Sequence, residues 1–600
     1  MHDNITHTIV RFAIVFVIIS LGFVCVLGKI IVLQTKERSH WEQVVDRQRK
    51  KNQEILPLRG AILDDSDNAL ASSVPQYTIY MDTRVEALHL GGDTLFHKYV
   101  DSIAEGLSRI LGDRSPREYR EVMTKAFYAK RARDRYVRIY PKSINYLQRK
   151  QIKQLPLVCR GEYKSGFTFE ERHRRNRPFG SFGQRTVGSI YGESGHGNAG
   201  LEKSFDTYLC GTPGVATIQR VAGHNTHVPV KEAVEGKDVR TTLNVNLMDI
   251  CESALRSRLE HTSANWGCCI LMETRSGQIK AISNLDRDAD GHYIEKFNHA
   301  VTRVEPGSTF KTIALLAALD DGKINLDDTL RVYRRGWDYL NAHHTDSHPR
   351  DTVYTVRSAL AVSSNIALAK IITDSYEKKA SKFVDKLRKM GICDSLYSEI
   401  PGAQSPRIDV PNDGVTLSRM AYGYSVELTP MQILAFYNAI ANDGKLIRPY
   451  LVSDILERGN VVKHFETETI KSSLCSRSSL HDIRLALHDV VWDNHLGTAS
   501  VSPWGQKKAQ SDLVHIAGKT GTAQLFYDGR YHRDAHRITF VGFFPEENPQ
   551  YTCLCMMEHP RGAYDAGMDC GIVVRQIAEK TMVYAGYYRI KDGELIYEIK

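Results

Sequence analysis

The chain has 600 residues, of which 42% are hydrophobic and 25% charged, and its formal net charge is +9. That length exceeds one ordinary core and implies two or three domains. The composition excludes a disordered, collagen-like or disulfide-dense chain, and the modest positive charge suits anionic surfaces without naming a partner.

The first predicted element is an apolar run from Phe12 to Leu33, broken only by Ser20, Gly22, Gly28 and Lys29. As a helix it is about 33 Å long, enough to span a bilayer. No small-x-small cleavage site follows, so it reads as an uncleaved anchor, with residues 1–11 as a short cytoplasmic tail. Arg11 lies before the run, while Lys36, Arg38, Arg47, Arg49, Lys50 and Lys51 lie after it. The positive-inside rule then favours a cytoplasmic body, but that rule is weak for long translocated domains. The chemistry described below argues for the outside. Lys36 to Lys51 reads as an exposed helix.

Arg59 to Asp65 and Asn68 to Ala71 read as strand, turn, strand. Asp101 to Gln154 is mostly helical in pattern. The stretch from Arg114 to Arg185 is basic, with Lys130-Arg131-Ala132-Arg133 and Arg172-His173-Arg174-Arg175. Interspersed acidic residues favour a solvated, salt-laced surface over a nucleic-acid site. Gly195-His196-Gly197-Asn198-Ala199-Gly200 has the spacing of a dinucleotide loop. It lacks the acidic ribose partner and the surrounding strand-helix-strand unit, so the reading is a glycine-rich turn before a helix near Leu201.

A second region begins near Asp238. A helix over Val245 to Leu259 leads to a strand, Gly267 to Glu273, and a turn at Arg275-Ser276-Gly277 joins it to Ile279-Lys280-Ala281-Ile282. Helical patterns dominate to about Asp443. Strands return at His515 to Gln524, Arg537 to Phe544 and Tyr551 to Met557, before a helix over Cys570 to Ala585. Strands at both ends of a helical middle predict an α+β domain with one antiparallel sheet. The eleven cysteines have no metal spacing, and Cys268, Cys269, Cys553 and Cys555 read as small buried hydrophobes.

Glu305-Pro306-Gly307-Ser308-Thr309-Phe310-Lys311 opens one of the helices. Ser308 and Lys311 are three apart, which puts a hydroxyl and an amine on one helix face. A serine becomes a nucleophile when a nearby base takes its proton, and a lysine held neutral is such a base. Ser-x-x-Lys alone is common, with the serine as cap and the lysine in solvent. Two further patterns change the weight. Ser363-Ser364-Asn365 stands at a turn before a helix, and Lys519-Thr520-Gly521-Thr522 stands in a strand. Each has its own bland reading, as an N-cap or an edge strand. The three in this order, each in its proper context, form a known acyl-transfer motif set.

On these motifs the chain resembles the penicillin-binding proteins over nearly its whole length. The likeness extends to Tyr422-Gly423-Tyr424-Ser425-Val426, Thr429-Pro430-Met431-Gln432, Asn442-Asp443-Gly444-Lys445 and Phe540-Val541-Gly542-Phe543-Phe544-Pro545. Arg59-Gly60, Asn68 to Ala71, and Gly200-Leu201-Glu202 with Gly211 look like pedestal motifs of the class B, monofunctional transpeptidases, most of all the division-associated type. The resemblance implies an anchor at 12–33, a pedestal or dimerisation domain at 34–237, and an α+β transpeptidase domain at 238–600 with helices about its antiparallel sheet. Two departures stand out. Asn244 replaces the usual Asp, which puts one junction contact in doubt, and Asp64-Asp65-Ser66-Asp67-Asn68 replaces the usual Asp-Arg-Asn-Gly turn.

The resemblance also implies roles. The substrate is a peptidoglycan stem peptide ending in D-Ala-D-Ala, and β-lactams mimic it. Ser308 is the nucleophile and Lys311 its base. Ser363 relays a proton to the leaving amine, and Asn365 binds the substrate amide and positions Lys311. Lys519, Thr520 and Thr522 receive the substrate carboxylate, and Gly521 lets the strand approach the substrate. Backbone N–H groups of Ser308 and Thr522 form the oxyanion hole. No cofactor or metal is needed, although His343-His344-x-Asp346-x-His348 has ligand-type residues. The implied setting is the outer face of a bacterial inner membrane. The implied partners are a membrane glycosyltransferase of the SEDS family and other division proteins, with no nucleic acid. The alternatives are an elongation-type enzyme, a silent septal scaffold, and a β-lactamase or penicillin sensor.

Overall fold

A computed structural model of the protein describes residues 2–35, 50–89, 94–192, 195–221, 224–396, 399–562, 564–591 and 594–597. Most of the stretch expected as an exposed helix after the anchor, 36–49, lies outside these residues, and Lys50 and Lys51 open a strand instead.

The chain forms two compact units. One comprises Met1–Leu58 and Gly211–Gly236. Its helix α1, His2–Thr35, contains a 20-residue apolar span, Ala13–Val32, with mean hydropathy 2.8 and nothing packed over it. That is long and apolar enough to cross a bilayer. The same unit holds an antiparallel sheet of Lys50–Ile55, Gly214–Val221 and His224–Lys231.

The other unit comprises Arg59–Cys210 and Lys237–Lys600. Its elements are, in chain order, β1 (Ile62–Leu63), β2 (Ala69–Asp82), α2 (Thr94–Leu111), α3 (Pro116–Phe127), β3 (Phe167–Asn176), α4 (Gly200–Ser204), β4 (Asp238–Thr241), α5 (Val245–Thr262), β5 (Trp266–Glu273), β6 (Ile279–Arg287) and β7 (Tyr293–Ile294). They continue with α6 (Phe310–Asp320), α7 (Val356–Ala361), α8 (Asn365–Tyr376), α9 (Pro430–Ala441), β8 (Val452–Glu457), β9 (Asn460–His464), α10 (Arg477–Trp492), β10 (Ala517–Tyr527), β11 (Arg530–Phe544), β12 (Tyr551–Glu558) and α11 (Ile572–Tyr584).

Two sheets organise this unit. One runs β9-β8-β4-β1-β2, with β3 and Tyr136–Arg138 also paired to β2. Strands β8 and β9 were not expected, because Val452 to His464 is too short and too mixed to stand out beside the helical pattern around it. The pairing of β8 with β4 ties Val452–Glu457 to the strand that opens at Asp238. The other sheet runs β7-β6-β5-β12-β11-β10 and is antiparallel throughout, as the sequence predicts. Gly267 to Met272 and Thr552 to Met557 are buried without a break, so both sheet faces are covered. Helix α5 lies on β5 and β6, and α9 lies on β5 and β12. Helix α6 is buried from Phe310 to Leu319, as expected of a helix apolar on every side. All eleven cysteines are free, and Cys269 and Cys553 lie 3.9 Å apart between their sulfurs in the core.

The predicted strand-turn-strand at Arg59 is present, and its unusual residues have partners. Asp64 Oδ1 accepts the N–H groups of Ser66 and Asn68 at 2.9 and 2.7 Å, closing the turn. Asp67 takes Arg240 at 2.7 Å. Asn244 caps α5 through the N–H groups of Asn246 and Leu247, and its amide donates to Asp65 at 2.9 Å. Lys280 reaches the same Asp65 at 3.2 Å. The junction contact put in doubt by Asn244 therefore exists. An amide donor faces a carboxylate, where two carboxylates would repel.

The basic stretch is not uniformly a solvated surface. Arg172 and Arg174 are exposed, but Arg175 turns inward beside Arg59. Glu202, fully buried, takes Arg59 at 2.8 Å and Arg175 at 2.6 Å, while Asp206 takes Arg59 at 2.6 Å. The two quoted pedestal motifs thus meet in one ion cluster. The glycine-rich segment supplies part of it, since Gly197 N–H donates to Asp206 at 2.8 Å. That is the structural role expected in place of a dinucleotide loop.

Candidate active site

The nucleophile candidate is positioned by a turn. Gly307–Thr309 is a 3₁₀ turn running into α6, so Ser308 and Lys311 follow one another along the same face. Gly307 has φ +54°, and a Cβ there would meet Thr522 O at 2.8 Å. Only glycine lets this turn press so closely on strand β10. Gly521 serves the same packing. A Cβ on it would meet Thr309 Cγ2 at 2.8 Å. Beside the expected approach of the strand to substrate, its missing side chain thus also answers to the nucleophile's own turn.

The second motif joins two helices. Helix α7 ends in a Schellman arrangement, with Ser364 N–H on Ala359 O at 2.9 Å and Ser363 N–H on Leu360 O at 3.1 Å. That geometry demands a left-handed residue, ordinarily glycine, and here it is Ser363 with φ +58°. Ser364 then caps α8 by accepting the Ala367 N–H. The expected cap is present but belongs to Ser364, which frees the Ser363 hydroxyl to point elsewhere.

It points at both lysines. Lys311 Nζ donates to Ser363 O at 2.5 Å and lies 3.1 Å from Ser363 Oγ. Lys519 Nζ lies 2.9 Å from the same Oγ, and also contacts Thr520 O at 3.0 Å and Thr520 Oγ1 at 3.3 Å. Both lysines are fully buried. Burial pushes the Lys311 amine down to about 7 against the pull of Asp346. Burial, and then the charge of Lys311, push Lys519 well below the lysine range. Two cations sharing one hydroxyl are held apart in protonation, so the pair carries one proton more easily than two.

Asn365 does not contact Lys311 as expected. Its amide donates to Thr345 O at 2.8 Å, and its N–H donates to Asp346 at 2.6 Å. Asp346 spends both oxygens at the start of α8, accepting Ile366 N–H at 3.0 Å and the Ser364 hydroxyl at 2.8 Å. Two of the three histidines have partners of their own. His343 pairs with Asp338 at 2.6 Å. His344 contacts Tyr422 Oη at 2.9 Å and Ser418 Oγ at 3.1 Å, and burial lowers it to about 4. His343 and His344 are thus engaged with different partners, while Asp346 and His348 line the groove.

Ser308, Ser363, Asn365, Thr520 and Thr522 line one groove of about 360 Å³. Sequence reasoning missed several of its walls. Thr498 meets Thr520 between hydroxyls at 2.7 Å, and Lys508, His536, Tyr564 and Asp565 also line it. The only local hints were Gly497-Thr498 after an apolar helix and the Lys507-Lys508 pair. Beside the groove Glu305 accepts Ser425 N–H at 3.1 Å and the Tyr531 hydroxyl at 2.8 Å, and burial raises its carboxyl.

A family profile described as the penicillin binding protein transpeptidase domain matches residues 267–579. The chain belongs to this family. A profile for the penicillin-binding protein dimerisation domain matches residues 54–241, and the two together make it a class B penicillin-binding protein. Among its relatives, the penicillin-binding protein PbpB of Mycolicibacterium smegmatis is 28% identical over 66% of this chain and 62% of that protein. The peptidoglycan D,D-transpeptidase FtsI of Escherichia coli is 24% identical over 93% of this chain and 89% of that protein. The crystal structure of penicillin-binding protein 2X from Streptococcus thermophilus superposes with a TM-score of 0.76 at 21% identity, covering 89% of this chain and 81% of that one. In this penicillin-binding protein the three motifs, far apart in the chain, therefore meet on the fold their family shares.

Proposed function

We propose that the protein is a peptidoglycan D,D-transpeptidase that works through a serine acyl-enzyme and binds β-lactams. The observation that carries the reading is the convergence of two fully buried lysines on Ser363 Oγ, beside the turn that bears Ser308. Ser308 Oγ attacks the carbonyl of the penultimate D-Ala. Lys311, neutral near pH 7, takes its proton. The substrate carboxylate arrives at Thr520 and Thr522 and favours a proton on Lys519. Lys311 is then left free to act as base, because one charge suppresses the other. The N–H groups of Ser308 and Thr522 stabilise the oxyanion by about 3–4 kcal/mol per donor. As the C–N bond breaks, Ser363 passes the proton from Lys311 to the departing D-Ala amine. An amine from a second stem peptide then attacks the ester, its proton returns along the same path, and Ser308 is regenerated with the cross-link formed. Asn365 receives the substrate amide.

The expected division into an anchor at 12–33, a pedestal at 34–237 and a catalytic domain at 238–600 is kept as part of this reading. The body stands outside a bacterial cytoplasmic membrane, where the substrate is, and the role is septal, alongside a SEDS-type glycosyltransferase and other division proteins. The relative named FtsI supports that role.

Fluorescent penicillin tests the chemistry. The wild type is labelled covalently and Ser308→Ala is not; covalent label on Ser308→Ala would sink the assignment. Catalytic turnover of nitrocefin would mark a β-lactamase instead. Depletion in cells tests the setting: filamentation supports division, and rounding supports elongation.

A further inference from the structure

Thr498 and Lys508, both in the wall of the groove, form the base of a short hairpin whose tip residues are not part of that wall. Ala509 N–H donates to Ala499 O at 3.0 Å, Lys508 N–H to Ser500 O at 2.8 Å, and Val501 bridges Lys507. The base is fixed on two sides. Lys508 Nζ donates to Thr498 O at 3.0 Å and to Asp565 at 2.8 Å, and Arg575 donates to Lys507 O at 2.8 Å.

The tip is equally well built. Ser502 N–H donates to Gln506 O at 2.8 Å, Gln506 N–H to Ser502 Oγ at 3.0 Å, and Gly505 N–H to Ser502 O at 2.9 Å. Pro503 presets the first turn dihedral, and Gly505 takes φ +79°. Between them Trp504 is 91% exposed, the most exposed large apolar side chain among the described residues. An indole carries one of the largest apolar surfaces of any side chain and is ordinarily placed against something. Here an ordered turn holds it away from the body.

The position selects the occupant. In the proposed reading, on which this inference rests, the leaving D-Ala lies toward Thr520, and Thr520 touches Thr498 at the hairpin base. By microscopic reversibility the attacking amine of the second stem peptide comes in where the D-Ala amine went out. An acceptor stem that enters there meets the hairpin at its base, beside Thr498. From Lys508 to Gln506 the chain rises about 7 Å, and the turn that carries Trp504 stands above that pair. Three extended stem residues cover about 10–11 Å before the amine-bearing side chain adds its length. The stem's far end is a sugar. Pyranose rings present C–H faces that stack on indole, and hydroxyls that accept its N–H.

We propose that Trp504 is a saccharide contact, stacking on the glycan of the acceptor strand and selecting acceptors that are still attached to it. The test uses full-length wild type, Trp504→Ala and Trp504→Phe, with one D-Ala-D-Ala donor and two acceptors: a free stem peptide, and the same stem on an uncross-linked glycan chain. Expected for Trp504→Ala is about a tenfold loss of transfer to the glycan-borne acceptor. Penicillin acylation and transfer to the free peptide stay unchanged, and Trp504→Phe recovers most of the loss. Equal loss on both acceptors, or no loss on the glycan-borne one, overturns the proposal. So does unchanged transfer in vitro with failed complementation in cells, which points to a partner protein at the tip. A wild type that penicillin does not acylate indicts the reading of Ser308 and leaves Trp504 out of account.

Discussion

At the junction near Arg59 buried cations meet carboxylates, whereas at Lys311 and Lys519 they meet hydroxyls and carbonyls. Glu202 sits between Arg59 and Arg175 with no solvent exposure, and Asp206 adds a further oxygen. Around the lysines the nearest carboxylate to act on them, Asp346, gives its oxygens to the start of helix α8. Removing a carboxylate from a buried pair leaves an uncompensated charge, so the first cluster holds structure. A buried amine without a carboxylate loses its proton near neutral pH, so the second cluster holds a base. One fold places both, and the difference is the second partner.

The largest effect that distinguishes the clusters is kinetic. Lys311→Met lowers the penicillin acylation rate by about 10²–10⁴, with thermal stability unchanged or raised. A large fall in melting temperature with acylation intact would reverse the assignment. Next is the opposite case, Glu202→Gln, which strands Arg175, leaves Arg59 with Asp206 alone, and costs about 3–5 kcal/mol of stability. Chemical denaturation measures the loss, and the folded fraction still acylates at the wild-type rate.

The third is a pH profile. Below about pH 7 Lys311 is charged and cannot accept the Ser308 proton, so acylation rises through about pH 7 and then levels. The folded amine binds its proton less tightly than lysine's ordinary 10.5. The unfolded chain therefore holds more protons between those values, and stability rises with pH across that window. Lys311→Met removes the rise in acylation and its own share of the stability slope, and leaves the share of Lys519, which burial also pushes down. The fourth concerns the strained Ser363, whose φ of +58° suits glycine. Ser363→Gly stabilises the fold by about 1 kcal/mol while slowing acylation. Equal rates for this variant and the wild type would end the relay role. The smallest is Glu295→Gln. Burial raises Glu295 to about 8, and one of its oxygens has no hydrogen-bond partner. Its contribution is present below about pH 4.5 and lost as pH rises through about 8, so the variant narrows the gap in melting temperature between those conditions.

These clusters also mark what the sequence made legible. Ser308 with Lys311, Ser363 to Asn365 and Lys519 to Thr522 are short-range patterns at element boundaries, where residue type answers to local backbone need. In the sheet of β5, β6 and β10 to β12, strands β5 and β12 were readable as nearly unbroken apolar runs, β11 by its apolar second half, and β10 by the motif it carries. Thr498 and Lys508 were not readable, because their meaning comes from Thr520 and Asp565, elsewhere in the chain. Arg175 was misread as solvated because nothing near it announces Glu202. The second demand on Gly521 was not readable, since the atom a Cβ there would meet belongs to Thr309.

Strand β10 is the last in its sheet. A sheet edge is ordinarily a hazard, a row of unpaired peptide groups that invites another chain and so aggregation. Here the first half of that edge carries Lys519 to Thr522 and runs beside the nucleophile's turn. In the proposed mechanism the stem peptide takes the vacant place and becomes a transient seventh strand. The same openness that threatens solubility thus becomes the means of grip. Amide hydrogens of residues 519–524 should then exchange with solvent more slowly in the acylated protein than in the free one.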